Sequence, residues 1–439
     1  TDPNLPSTGH YKVLEILQLG GVSHRETNWI EQPDAAPVWR QLSAVNWAQI
    51  TPSPPNATAT YPVVTGVNLG PACEPLHDAA IRDRIRMIAV AHRLPPHDPA
   101  RAYVLGGRTL GRSQYFGLGA AVQRKRGVVG GLPAAWILDT GQPLIASYAA
   151  ATGLHLGQSR PIVLPITDLD SGFVTRLDRS MRDDADALLA WYDCRYADGL
   201  TFPSGDPARS AGYAGYTTAR AALEQWPQLH QHLVGAPPLH VGVPQAQFTA
   251  SRNRTQQAIV VATWLLANGA DYVCVIDNGA PKNGINVDSH ATLTMAEHAQ
   301  IHTTNMWSAC QAVRSQVTAT AGARLNLDQT MVLLHSEFGR YHDAGTGTGS
   351  DHWHLGYPMT LIGGPIRQSG VRGTLAFGSD PRGLASGGWS GAAHDPVDVR
   401  AAVAMAAGIA PFSPDMYSLS DTTGASQPLS SFEHDLLGL

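Results

Sequence analysis

The chain is short of cysteine, of charge and of long apolar runs, and each shortage removes a class of protein. Its four cysteines, Cys73, Cys194, Cys274 and Cys310, lie far apart and form no CxxC. That argues against a structural zinc site and a redox dithiol, and leaves room for one or two disulfides. Charged residues make up 15% of the chain, 30 basic against 35 acidic, for a net charge of −5. With no long run of either sign, the footprint of a nucleic-acid binder is missing, and small or neutral partners are expected. No apolar stretch reaches the roughly 18 residues needed to cross a bilayer. There is no GxxxxGK[ST] phosphate loop, and the glycines between Gly106 and Gly119 do not make a dinucleotide fingerprint. They read as a backbone-packing loop.

Glycine (44) and proline (31) are plentiful, and 43% of the residues are hydrophobic. This is the composition of a loop-rich globular chain with a sizeable core. At 439 residues two or three average domains would fit, yet α/β enzymes often spend that length on one sheet with insertions. The expectation is one α/β domain over 1–439, with a helical insertion or cap over 166–239. The chain begins at Thr1 in the Pro-containing TDPNLPSTGH, as a mature chain does after loss of a leader, although a recombinant start would look the same. A periplasmic or secreted localisation is therefore expected.

Apolar runs at 11–19, 134–139, 271–276, 331–334 and 357–362 read as strands. Helical spacing marks 251–268, with Asn268-Gly269 as its stop, and a helix from Met295 whose His298, His302, Met306 and Cys310 share a face. His298 and His302 there read as core or surface residues before ligands. Asp78 to Ala91 has helical spacing that gives way to a continuous apolar run, so a helix leading into a strand is expected, with His92 and His97 in the Pro-rich turn after it.

The densest chemistry lies in TMVLLHSEFGRYHDAGTGTGSDHWHLGYPMTLIGG, Thr330 to Gly364. Four of the 18 histidines fall between His335 and His354, where an even spread would place fewer than one. Polar residues begin where the first strand stops, which is where open α/β sheets carry their sites. Carboxylates and neutral imidazoles suit Zn²⁺, Mn²⁺ or Fe²⁺. The bland alternative is a solvated loop whose histidines bond only backbone. A second strand end, Gly20-Gly21-Val22-Ser23-His24-Arg25-Glu26-Thr27, carries similar residues, although Ser23 alone reads first as a turn cap.

Together these segments resemble a bacterial family labelled as domain of unknown function 1501, grouped with the alkaline phosphatase-like superfamily. The matching features are the GG turn with Ser23 and Glu26, the segment LLANGADYVCVI, the triplet Asp288-Ser289-His290, and Ser336-Glu337-Phe338-Gly339-Arg340 followed by a Gly-rich loop and Ser350-Asp351-His352. Two features depart from the pattern: Glu26 and Asn28-Trp29 stand where relatives often show a second aspartate, and SDHWH replaces TDHG.

The resemblance implies an alkaline phosphatase-like fold, a mostly parallel central sheet flanked by helices, and metal-assisted hydrolysis of phosphate or sulfate esters. It carries over Glu26, Asp288, His290, Glu337, Asp351, His352 and His354 as ligands of one or two divalent ions, Zn, Mn or Ca, with Fe or Cu as alternatives. Ser23 and His24 become candidate catalytic residues, and so does Arg340, as a bidentate partner for an anionic oxygen or as a structural pair with Asp343 or Asp351. His24 could equally be a ligand, and a metal-bound water could replace Ser23 as nucleophile. Two other classes stay open. One is a non-catalytic protein binding a small molecule or saccharide, with Trp29, Trp353, Trp389, Tyr115 and Tyr341 as stacking candidates; the other is a metal-dependent redox enzyme.

Overall fold

Lys12–Gln18 forms β1, and every residue after Lys12 is buried. A strand covered on both faces reads as a near-continuous apolar run, and KVLEILQ does so between its ends apart from the buried Glu15. The structure, a computed structural model, describes residues 10–24, 26–29, 45, 60–64, 67–107, 117–129, 131–140, 161–166, 254–279, 288, 290, 293–342, 350–375, 393–409 and 437, with scattered helical positions between 184 and 225. The expected insertion over 166–239 therefore lies almost wholly outside the described residues.

After β1 come β2 (Tyr61–Val64) and β3 (Val67–Leu69), an antiparallel pair, then a 3-10 turn over Pro71–His77 and β4 (Ile85–Val90). Helices α1 (His97–Gly106) and α2 (Leu118–Arg126) follow, then the short pair β5 (Val128–Val129) and β6 (Leu132–Pro133), and the strands β7 (Ala135–Asp139) and β8 (Ile162–Pro165). Helix α3 (Arg254–Ala267) leads directly into β9 (Tyr272–Asp277), and α4 (Met295–Val317) into β10 (Thr330–Ser336). The hairpin of β11 (Gly339–His342) and β12 (Ser350–Trp353) precedes β13 (Tyr357–Gly363), β14 (Gly370–Arg372) and α5 (Pro396–Ala406).

Eight of these strands form one sheet in the order β14-β4-β13-β10-β1-β9-β7-β8. Pairing is parallel from β10 through β1, β9 and β7 to β8, whereas β13 runs antiparallel between β10 and β4. The sheet is thus mixed and mostly parallel, an α/β class. Because β13 reverses, β4 points the same way as β10, and the carboxyl ends of β1, β4, β9 and β10 share one edge. Two apolar clusters fill the structure. One includes Leu14, Ile16, Val273, Val275 and α4; the other includes Val13, Leu17, Cys274, Ile276 and α5. Alternate residues of β1 thus serve opposite faces.

The expected helix before β4 is absent. Asp78 to Arg84 holds only turns and a 3-10 segment at Arg82–Arg84, and the apolar run pairs with β13 and β14. Tertiary strand pairing overrides the local helical spacing there. Of the stretch read as a packing loop, the ends belong to helices, with α1 closing on Gly107 in the left-handed conformation and α2 beginning at Leu118; residues 108–116 lie outside the described residues. The expected α4 face is buried at His298, His302, Met306 and Cys310, and Thr294 caps the helix in a reciprocal box with Glu297. Among the described residues no helix is long and apolar enough to cross a membrane.

Candidate metal centre

Gly20 and Gly21 turn the chain sharply off β1 with φ of 102° and 81°. A side chain at Gly21 would also drive its Cβ to 2.6 Å from the Phe338 ring, so the turn needs glycine for both conformation and space. That close approach seats the β1 turn against Phe338-Gly339-Arg340. Arg340, buried at 1% exposure, donates from Nε to Gly20 O at 2.7 Å and from Nη1 to Ser350 Oγ at 3.3 Å, and its Nη2 bonds Asp288. The guanidinium therefore ties the β1 turn, the β12 strand and Asp288 together. The aspartate it bonds among the described residues is Asp288; Asp351 acts on it through charge, and the expected alternative Asp343 lies outside the described residues.

Around Asp288 the structure gathers His97, His290 and His352, with one ligand-capable atom from each of the four residues lying within 4.8 Å of the others. His290 Nε2 is 2.9 Å from Asp288 Oδ1, His97 Nε2 is 3.2 Å from Oδ2, and His352 Nε2 is 3.1 Å from His290 Nε2 and 3.9 Å from Asp288 Oδ1. The histidine partners fix which nitrogen is offered. His352 Nδ1 meets the carbonyl of Pro95 at 2.6 Å, and His97 Nδ1 meets Glu337 Oε1 at 2.8 Å. A carbonyl and an ionised carboxylate only accept, so both rings carry hydrogen on Nδ1 and, when neutral, turn an Nε2 lone pair toward Asp288. Protonated on Nε2 as well, these rings donate to the Asp288 carboxylate; neutral, their lone pairs and the carboxylate converge in a way that suits a bound cation, and this group could hold a metal ion.

Glu337 supports that arrangement from behind. It is fully buried, and its Oε1 accepts from His97 Nδ1, from Gly20 N at 2.8 Å and from Arg101 Nε at 3.2 Å. Burial alone would raise its pKa, but the His97 hydrogen bond and the charge of Arg101 outweigh it and bring the carboxyl down to about 2. The result is a carboxylate that orients a histidine toward a metal position, a common outer-shell device. His92 buttresses the same residue by meeting the Glu337 carbonyl at 2.6 Å through Nε2, while its Nδ1 accepts from Leu94 N at 3.2 Å. Burial keeps His92 neutral, with a pKa down at about 4. At Asp288, burial again opposes ionisation, yet the imidazoles of His352 and His97 and the Arg340 charge hold its carboxyl far below the usual range. The side chain of His290 is 46% exposed, so the group opens to solvent on that side.

The expected site residues thus separate. Asp288, His290 and His352 come together, and Arg340 and Glu337 flank them by holding Asp288 and His97. Asp351 stands at the rim, 59% exposed with Oδ1 4.0 Å from His290 Nδ1. His354 lies beside His92, the two rings stacked at 6.4 Å. The group does not include Ser23, His24 or Glu26. All three are buried; Ser23 Oγ bonds the Glu26 carboxylate, Ser23 N donates to His302 Nδ1 at 3.2 Å, and His24 lines an internal cavity with His335, Phe338 and Tyr357. Of the aromatic candidates, Trp29 and Trp353 are buried, Trp389 and Tyr115 lie outside the described residues, and so does the side chain of Tyr341.

His97 is the member the sequence reading missed. Its sequence surroundings read only as a Pro-rich turn, yet it follows the carboxyl end of β4 as Ser23 and Glu337 follow those of β1 and β10. The strand-end rule applied to 85–90 would have flagged it.

A family model described as "Protein of unknown function (DUF1501)" matches residues 240–382. The match supports the DUF1501 family over that third of the chain. It spans Asp288, His290, Glu337, Arg340 and His352, and it leaves out His97 and the β1 turn. No curated protein matches the chain.

Proposed function

We propose that the protein is a metal-dependent hydrolase of phosphate or sulfate esters, with His97, Asp288, His290 and His352 as the metal-holding residues. The observation that carries this reading is the convergence of the His97 and His352 Nε2 atoms on Asp288, with each ring's Nδ1 already committed to an acceptor. Three neutral imidazoles and one carboxylate make a donor set suited to a borderline divalent ion such as Zn²⁺ or Mn²⁺. A divalent ion there would draw charge from an ester oxygen and acidify a water. The chain's own residues supply the rest. Glu337 and Pro95 O orient the imidazoles, Arg340 holds Asp288, and the exposed flank at His290 admits a substrate. Water is favoured over Ser23 as the attacking group, because the Ser23 hydroxyl is buried and bonded to Glu26.

The test is hydrolysis of a panel of phosphate and sulfate monoesters by protein stripped with chelator and reloaded with Zn²⁺ or Mn²⁺. Activity that appears on reloading and is absent from His352→Ala supports the reading; loaded protein inert on every ester would remove it. The same donor set also suits iron, and this favours a metal-dependent redox enzyme as the second reading. Iron as the metal retained through purification would move the assignment there.

A further inference from the structure

We infer that Cys73 and Cys310 are a reversible disulfide site that staples the turn before β4 to the middle of α4. Cys73 lies in the Pro71–His77 turn, its amide bonded to Gly70 O at 2.9 Å, and Cys310 lies on α4. Both are fully buried and belong to the same apolar cluster, with Ala72, Leu76, Met306 and Val313. The Cys310 thiol lies close enough to Cys73 to act on it. A separate interaction holds the two segments in register at that point: Glu74, next to Cys73, accepts from Arg314, one helical turn beyond Cys310, at 3.3 Å. A turn and a helix held side by side, with two neighbouring buried thiols between them, offer the short approach that a disulfide requires.

The other two cysteines have different surroundings. Cys194 is exposed, and Cys274 sits on β9 beside the buried Glu15 and Tyr272. Burial pushes the Cys73 thiol up, which keeps the reactive thiolate scarce in the folded protein. The bond therefore forms while α4 docks on the turn or during its transient opening, and once formed it is shielded from exchange.

The oxidant is a small-molecule disulfide. One cysteine thiolate attacks it and expels the first small thiol, leaving a mixed disulfide. The second cysteine thiolate attacks that bond and expels the second small thiol. The two cysteines lose two protons and two electrons together, and the small disulfide is reduced to two thiols.

The experiment uses the full chain, refolded or held folded with oxidised glutathione, then alkylated under denaturing conditions without reductant and mapped by mass spectrometry. The expected product is a Cys73–Cys310 cross-linked peptide, with Cys194 glutathionylated or alkylated. Reductant should then lower the thermal midpoint of the oxidised protein by several degrees and leave that of Cys73→Ala unchanged. Cys310→Ala serves in its place where Cys73→Ala does not fold, since the peptide map of the unmodified chain stands without either variant. Full alkylation of both Cys73 and Cys310 after both treatments would overturn the assignment, as would either cysteine pairing with Cys194 or Cys274.

Discussion

Two carboxylate–histidine pairs in this protein are built alike and placed differently. In the sheet interior, Glu15 accepts from His335 Nε2 and Arg400 Nη1, each at 2.7 Å, and from the Tyr272 hydroxyl at 2.5 Å. At the sheet's carboxyl edge, Glu337 accepts from His97, Arg101 and Gly20. Both glutamates are fully buried, and in both the partners outweigh burial and bring the pKa down to about 2. The difference lies beyond the histidine. Neither far-side nitrogen makes a hydrogen bond among the described residues, but His335 is enclosed, whereas His97 Nε2 lies 3.2 Å from Asp288 Oδ2 next to two further imidazoles. The same ionic unit can lock a core or aim a ligand, and what stands on the far side of the ring decides which.

Breaking the interior pair should have the largest effect. Glu15→Ala strands Arg400 inside the protein, and removing one partner of a buried ion pair costs about 3–5 kcal/mol. Denaturant unfolding should show that loss, and a midpoint close to the unsubstituted protein's would mean that the pair is not a structural lock. At the edge the loss should be of metal and not of fold. His97→Ala should abolish binding in a Zn²⁺ titration while the far-ultraviolet circular dichroism stays the same.

Glu337→Gln should weaken metal affinity by about 10–100-fold without abolishing it, as expected of a residue that orients a ligand. Complete loss would instead make Glu337 a direct ligand, the role the family resemblance implies. Asp351→Asn should matter least, about twofold or less in affinity, because an exposed carboxylate at 4.0 Å interacts weakly through solvent.

Acid sharpens the comparison. Glu15 has an ordinary value of 4.5 and a folded value of about 2. A depressed folded pKa gives stability that is fully present above 4.5 and drains away as pH falls toward 2. Glu15→Gln should therefore flatten the acid limb of a stability–pH curve in that window, and an unchanged limb would assign acid unfolding to other groups.

Much of this was legible in the sequence because it was local. The apolar runs at β1, β9, β10 and β13 and the Asn268-Gly269 stop need only short-range patterning, and SEFGR marks a strand end by itself. Sheet order is not local. Nothing in the spacing of Ile85–Val90 says that β13 will reverse and lay β4 beside it, so His97 could not be joined to Asp288 and His352 from sequence alone. Ser23 and Glu26 carry the right residue types at a strand end, but Ser23 bonds Glu26 and, through its amide, His302 of α4, which only the packing of α4 against the β1 turn reveals.

The most direct test of the central claim is metal content by elemental analysis of protein purified without chelator, beside His97→Ala prepared identically. Four convergent ligands predict about one equivalent of a divalent ion per chain in the first and none in the variant. Metal retained in full by His97→Ala, or absent from both and not taken up on titration, would contradict the account.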